Sequence, residues 1–214
     1  MTVDQQRVRE LTREFLLAIG EDPDRPGLRE TPARVAQAAE EFFSGLGRDA
    51  TEPLQRTIDV SHGPAPETAP TGAVLVRDIR FRSICEHHLL PFAGRAHIAY
   101  LPGDRVVGIG SLAKVIDIVA SRPQVQERLG EQVADAIATA LEAKGVFVML
   151  DAAHECLTMR GDARPDASTV TVAARGELAT AAARAEMAAY IIIGVQNRAA
   201  EAPVAPRGGD GDAP

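Results

Sequence analysis

The sequence predicts an α+β fold in which two pairs of strands flank a pair of helices, in the order ββααββ, behind an N-terminal helical arm. Three observations predict it. Strand-rich residues fill 74–84 and alternate through 92–101. Two stretches between 111 and 145 carry apolar side chains at helical spacing. A second strand pair then occupies 146–150 and 168–174. Strands grouped on either side of the helices, and not alternating with them singly, point away from a parallel βαβ sheet.

The elements follow in order. Residues 3–19 place Val8, Leu11, Phe15 and Ile19 on one helical face. Glu21-Asp22-Pro23-Asp24-Arg25-Pro26-Gly27 reads as a turn. Thr31 as N-cap and Pro32 as first helical residue start a second helix through Val35, Ala38, Ala39, Phe42 and Phe43, ended by Gly45 and Gly47. Residues 1–47 are therefore expected to form the arm. Residues 48–72 hold four prolines without periodicity and are expected to be a connecting loop with a short strand at 57–60.

The main domain is expected over 73–176. Val74, Val76, Ile79, Phe81 and Ile84 mark its first strand, and Ala96, Ile98 and Tyr100 its second. Ser111 is placed to cap a helix over Leu112, Val115, Ile116 and Val119. Pro123 is placed to open the next, through Val125, Leu129, Val133, Ile137 and Leu141, closing at Gly145. Residues 146–150 form a buried-type strand that runs on to His154 and Cys156. The alanine-rich stretch 177–201 is expected to be helical and 202–214 a disordered tail.

Composition narrows the partners. The content of 45% hydrophobic and 25% charged residues is that of an ordinary soluble protein. A formal net charge of −7 argues against nucleic acid, whose phosphates attract basic surfaces. The first ten residues are polar, and the best apolar run, 188–195, is too short to span a bilayer. No membrane partner and a cytoplasmic location are expected, where a Cys85–Cys156 disulfide is disfavoured.

The chemistry concentrates in two triplets of mirrored order. Cys85-Glu86-His87-His88 and His154-Glu155-Cys156 contain both cysteines and three of the five histidines. Thiolate and imidazole are the usual ligands of a borderline-soft ion such as zinc. Two thiolates and one imidazole leave the fourth tetrahedral position open, as in catalytic zinc sites. With His87 or His154 as a fourth ligand the same residues would make a closed structural staple. A turn at 87–91 lets Cys85 and His88 converge, whereas an extended chain puts His154 and Cys156 on one face. Two imidazoles beside a metal suit proton shuttling near neutrality. Glu86 and Glu155 read as solvent-facing, and His62 and His97 as ordinary polar residues.

Longer motifs surround these triplets. Ser83-Ile84-Cys85-Glu86-His87-His88-Leu89-Leu90-Pro91-Phe92-Ala93-Gly94, Arg122-Pro123-Gln124-Val125-Gln126-Glu127-Arg128-Leu129, and His154-Glu155-Cys156-Leu157-Thr158-Met159-Arg160-Gly161 occur in that order, after an arm with Thr31-Pro32-Ala33-Arg34. The set resembles GTP cyclohydrolase I over about residues 5–188. The resemblance implies a tunnelling fold assembled as a homodecamer with sites between subunits. It implies Zn2+ on Cys85, His88 and Cys156, with proton transfer by His87 and His154. The implied reaction is hydrolytic opening of the purine ring of GTP at C8, giving 7,8-dihydroneopterin triphosphate and formate for folate biosynthesis. Glu127 would then grip the guanine edge and Gln126 orient the ribose, while Arg34, Ser111, Lys114 and Arg160 would face the phosphates.

Four positions depart from that family pattern. Gly110 and Ser111 stand where a Ser-Lys pair is usual, Lys114 where an Arg is usual, and Gln37 where a Lys follows the arm motif. They open the alternative of a paralogue acting on a less phosphorylated or modified guanine compound. A nitrile reductase using NADPH and an unmetallated cysteine, or a non-catalytic purine- or pterin-binding module, are the readings from other classes.

Overall fold

A computed structural model describes residues 3–60, 72–161 and 163–201. The expectations for His62 and for the 202–214 tail lie outside the described residues, as does most of the expected loop after residue 60.

The arm consists of α1 (Gln5–Ala18) and α2 (Thr31–Phe42). Asp4 caps α1, its carboxylate accepting from the Arg7 N–H at 2.9 Å, so an otherwise orphaned first-turn donor is satisfied. The start of α2 differs from expectation. Thr31 lies inside the helix, Glu30 precedes it, and no side chain caps it. Pro32 sits in the first turn, where its missing N–H costs nothing. Leu16 and Ala36 are buried where the two helices pack, whereas Leu11, Phe15, Leu17 and Ile19 remain exposed.

The rest of the chain is built on β1 (Thr57–Asp59), β2 (Val74–Cys85), β3 (Pro91–Leu101), β4 (Arg105–Val107), α3 (Ile109–Ala120), β5 (Pro123–Gln124), α4 (Gln126–Leu141), β6 (Gly145–His154), α5 (Glu155–Thr158), β7 (Thr169–Gly176) and α6 (Ala181–Glu201). The large sheet has the order β5-β2-β3-β6-β7, and β1 pairs with β4 in a separate two-stranded ribbon. All main-sheet pairings are antiparallel except the short β2–β5 contact. The fold is thus α+β, with the expected ββααββ order as its frame.

One sheet face carries α3 and α4. Leu112, Val115, Ile116, Leu129, Val133 and Ile137 pack there on Phe81, Ile98, Tyr100 and Val148. Each fully buried aliphatic side chain in such a layer contributes roughly 1.5–3 kcal/mol. The opposite face is partly covered by α6, where Met187 and Ile191 meet Ala99, Phe147 and Leu178. Alternation along β3 and β6 serves both faces, which is why these central strands are apolar almost throughout.

Four local expectations are corrected. Ser111 does not cap α3, which begins two residues earlier after Gly108. Pro123 does not open a helix; it pairs with Ile84 in β5, and α4 starts at Gln126 behind an extended Val125. A proline is tolerated in such a short edge segment because it need not donate to the ladder. The end of α4 falls to Glu142 in the left-handed region (φ 49°), and Gly145 is instead the first residue of β6. Cys156 is not on a strand but in the single turn of α5.

His97 is not an ordinary polar residue either. It is only 2% exposed, and its Nδ1 accepts from the Asp78 N–H at 3.3 Å. Asp78 has φ 61° within the β2 irregularity between Val76 and Ile79. Burial pushes the His97 imidazole below its ordinary pKa, the nearby Asp151 opposing and Arg95 and Arg77 assisting.

Candidate metal centre

Topology brings the two triplets together. Strands β2 and β6 both run antiparallel to β3, one on each side of it. Their C-terminal ends therefore emerge at the same end of the sheet, flanking the start of β3. Ile84 pairs with Pro91, and Phe92 pairs with His154. Residues some seventy positions apart in the chain are thus carried to one edge by strand direction alone.

The turn after β2 then folds back on itself. The Cys85 N–H donates to the Leu90 carbonyl and the Leu89 N–H to the Cys85 carbonyl, both at 2.8 Å. Leu89 adopts φ 54°, an unusual conformation for a branched side chain and one that the closed turn enforces. On the other side, α5 begins directly after His154 and turns Cys156 inward. The ligand atoms of Cys85, His88 and Cys156 consequently all lie within 4.8 Å of one another. Cys85 is buried, Cys156 half-buried and His88 exposed, and both thiols are free. Neither His87 nor His154 belongs to this group among the described residues.

Two sulfurs and one imidazole fit a tetrahedral, borderline-soft cation. Burial, and after it the neighbouring Cys85, push the Cys156 thiol up from its ordinary pKa, with Arg160 acting in the opposite sense. A bound divalent cation would reverse that penalty by favouring the thiolate.

His154 stands beside the cluster in a defined pose. Its ring stacks on Phe92, centroids 4.6 Å apart and planes 3° from parallel. Burial pushes its pKa below the ordinary value, while the Ala152 backbone and the charge of Glu127 pull the other way. Even so, Nδ1 is buried without a hydrogen-bond partner among the described residues. His87 is exposed, its ring edge-on to that of His88 at 6.4 Å between centroids.

Gln126 is 2% exposed and is not a solvated helix residue. Its Nε2 donates to the Leu150 carbonyl (3.1 Å), the Thr169 carbonyl (2.8 Å) and Thr171 Oγ1 (3.2 Å). With three acceptors around the nitrogen the amide orientation is fixed, and Oε1 is left as a buried acceptor with no partner among the described residues. Glu127 is exposed on the same helical turn. Glu86 is not simply solvent-facing, since its carboxylate pairs with Arg128 of α4.

The expected phosphate-facing residues are more dispersed. Ser111 lies in the first turn of α3, and Gly110 has open space around its Cα. Lys114 lines a cavity of about 360 Å³ with Arg48, Glu52, Pro53, Asp117 and Ile118. Arg34 is exposed on α2, and Arg160 is exposed beyond α5. Among the described residues, none of these side chains makes a hydrogen bond or ion pair to the cluster. Phe92, Gln124 and Arg128 escaped the sequence reading as site residues, because cross-strand register and helix-to-turn pairing leave no local signal.

The family described as GTP cyclohydrolase I matches residues 8–192. A GTP cyclohydrolase 1 from Leifsonia xyli subsp. xyli is 54% identical over 188 residues, covering 88% of this chain and 95% of the relative. Another from Mycolicibacterium vanbaalenii is 50% identical over 186 residues, covering 86% and 88% respectively. Among solved structures, an archaeosine synthase QueF-like protein in the apo form overlaps 51% of this chain and 97% of its own at 17% identity, with a TM-score of 0.42.

Proposed function

The chain belongs to the GTP cyclohydrolase I family, and from that premise we propose that it opens the imidazole ring of GTP at C8 by hydrolysis, releasing formate and yielding 7,8-dihydroneopterin triphosphate. The observation that carries this reading is the convergence of Cys85, His88 and Cys156 at the sheet end where His154 is also held.

Cys85, His88 and Cys156 would hold zinc, the donor set and its open fourth position matching a catalytic site. When bound, zinc supplies a Lewis acid and lowers the pKa of water to near neutrality. His154, its imidazole pushed by burial toward the neutral form and lying flat on Phe92, accepts a proton at the ring-opening step and returns it to the departing nitrogen. His87, exposed beside His88, exchanges protons with solvent and completes the relay. Glu127 accepts the paired N–H donors of the guanine edge. An adenine would leave that carboxylate facing the wrong groups, which is the source of base selectivity. Gln126, whose Oε1 is buried without a partner among the described residues, would help orient the ribose.

Arg34, Ser111, Lys114 and Arg160 serve the triphosphate. Their dispersion within one chain is consistent with a site completed in a homo-oligomer, a decamer by family. No helix among the described residues is long and apolar enough to cross a membrane. Gly110, Ser111 and Gln37 favour one second reading, in which a guanine compound with fewer phosphates is preferred.

Incubation of the zinc-loaded protein with GTP, GMP and guanosine, following formate and pterin fluorescence, tests both. Turnover of GTP above the others supports the first reading, and the reverse order supports the second. No formate from any of the three would overturn both.

A further inference from the structure

Glu86 lies between a cluster thiol and His87, yet its side chain turns away from the cluster to helix α4. Arg128 donates through both terminal nitrogens to its carboxylate, Nη2 to Oε2 and Nη1 to Oε1. The same guanidinium donates through Nε to Gln124 Oε1 at 3.0 Å. Gln124 is fully buried and anchored in turn, its Nε2 donating to Gln132 Oε1 (2.8 Å) and the Val119 carbonyl (3.1 Å). The Gln124 carbonyl also accepts from the Glu86 N–H at 3.0 Å. Glu86 is therefore held at main chain and side chain by the segment that opens α4.

The pair retains 44% and 34% of its side-chain exposure, so solvent screening leaves it little to add to global stability. Its placement is another matter. Arg128 directly follows Gln126 and Glu127, and Glu86 directly follows Cys85. One forked contact thus joins the metal-holding turn to the helix terminus proposed to receive the purine. Misplacement of reacting groups by about 1 Å can cost on the order of 100-fold in rate.

We infer that Glu86 and Arg128 are positioning residues, a clamp that sets the separation between the turn 85–88 and the start of α4, so that a base held at Glu127 lies in register with the metal. The catalytic consequence rests on the proposed ring opening, whereas the effect on the metal-holding turn does not.

The test uses the full chain loaded with zinc, the variants Glu86→Gln, Arg128→Met and their double, with Arg128→Lys as the conservative control. Four quantities are read: kcat, KM for GTP, the rate of zinc release to a chelator, and the thermal midpoint. Each single variant is expected to lower kcat by about tenfold or more and to speed zinc release several-fold. KM should move less than about threefold, and the midpoint hardly at all. The double variant should be no worse than the worse single one, because both act through one contact. Arg128→Lys should recover part of the loss, keeping charge but not the fork. Losses within twofold of the parent, or fully additive losses in the double variant, would overturn the clamp. If the parent protein turns over no guanine compound, the functional proposal fails separately. Zinc release then decides the clamp, and rates unchanged in both single variants would overturn it.

Discussion

The imidazole of His154 lies flat on the phenyl ring of Phe92, 4.6 Å between centroids, and the two residues are also register partners of β3 and β6. The stack fixes the plane of a ring whose Nδ1 is left without a partner among the described residues. The proposed proton carrier is thereby oriented by packing against Phe92. Phe92 is only 1% exposed, so the surface that orients His154 is itself locked in the core.

Replacing Phe92 by Leu should keep the core apolar while freeing the imidazole. We expect a stability loss of about 1–2 kcal/mol from the lost volume. Formate release should fall roughly tenfold or more, as expected when a general acid–base is misaligned. Zinc content, measured on the same preparation, should remain that of the parent, because none of the three clustered residues is touched.

Removing Cys156 addresses the cluster directly. Cys156→Ala should reduce bound zinc from near one per chain to background by elemental analysis. Ring opening should fall by at least about 10³-fold, the scale of several kcal/mol of transition-state stabilisation. Treatment of the parent with a strong chelator should have the same effect, reversed by added zinc. Retention of stoichiometric zinc in the variant would contradict the proposed ligand set.

The proposed phosphate-binding positions should respond to restored charge. A Cβ at Gly110 meets nothing within 4 Å, so Gly110→Ser with Ser111→Lys can be accommodated at the start of α3. One added charge-assisted contact is typically worth ~1.5–3 kcal/mol. We therefore expect KM for GTP to drop by roughly tenfold or more with little change for guanosine. Equal changes for both substrates would place these positions away from the phosphates.

His97 should make stability pH-dependent. Its folded pKa is lowered by burial, so above the unfolded value of about 6.5 both states carry a neutral ring. As pH falls through that value only the unfolded chain takes the proton, and stability declines until the folded pKa is passed. Protonation would also break the bond from the Asp78 N–H to Nδ1. His154, shifted the same way, contributes in the same direction. Thermal melts of the parent and of His97→Asn from pH 7.5 to 5.5 isolate His97: the parent should lose more. Parallel curves would refute this.

Gly94 should be intolerant of any side chain. A Cβ there would stand 1.9 Å from the Asp151 carbonyl and 2.6 Å from the Ala152 Cα, both backbone atoms of the paired strand. Gly94→Ala should cost several kcal/mol by forcing β3 and β6 apart. Far-ultraviolet circular dichroism with urea titration would show it as a lowered midpoint.

Much of the frame was legible because its signals are local. Apolar spacing at Leu129, Val133 and Ile137 needs a helix, and alternation at Ala96, Ile98 and Tyr100 needs a strand. The misread boundaries share a cause, since Pro123 and Gly145 carry helix-punctuation chemistry but were captured by strand pairing. Cys156 was expected on a strand because residues 146–154 read as one, and nothing local announces the single turn of α5. Glu86 looked solvent-facing because its partner, Arg128, lies forty-two positions away.

The donor chemistry is written in the chain: two thiols and an imidazole, with no other cysteines, set among motifs that mark one family. The α+β order is written there too, since periodicity is a property of neighbouring residues. Which side chains come together at the cluster depends on the folded chain. Strand direction brings the ends of β2 and β6 to the same edge, register lays His154 on Phe92, and the opening of α4 fastens Glu86. These are relations between residues distant along the chain, fixed by backbone pairing and close packing, and no local pattern encodes them.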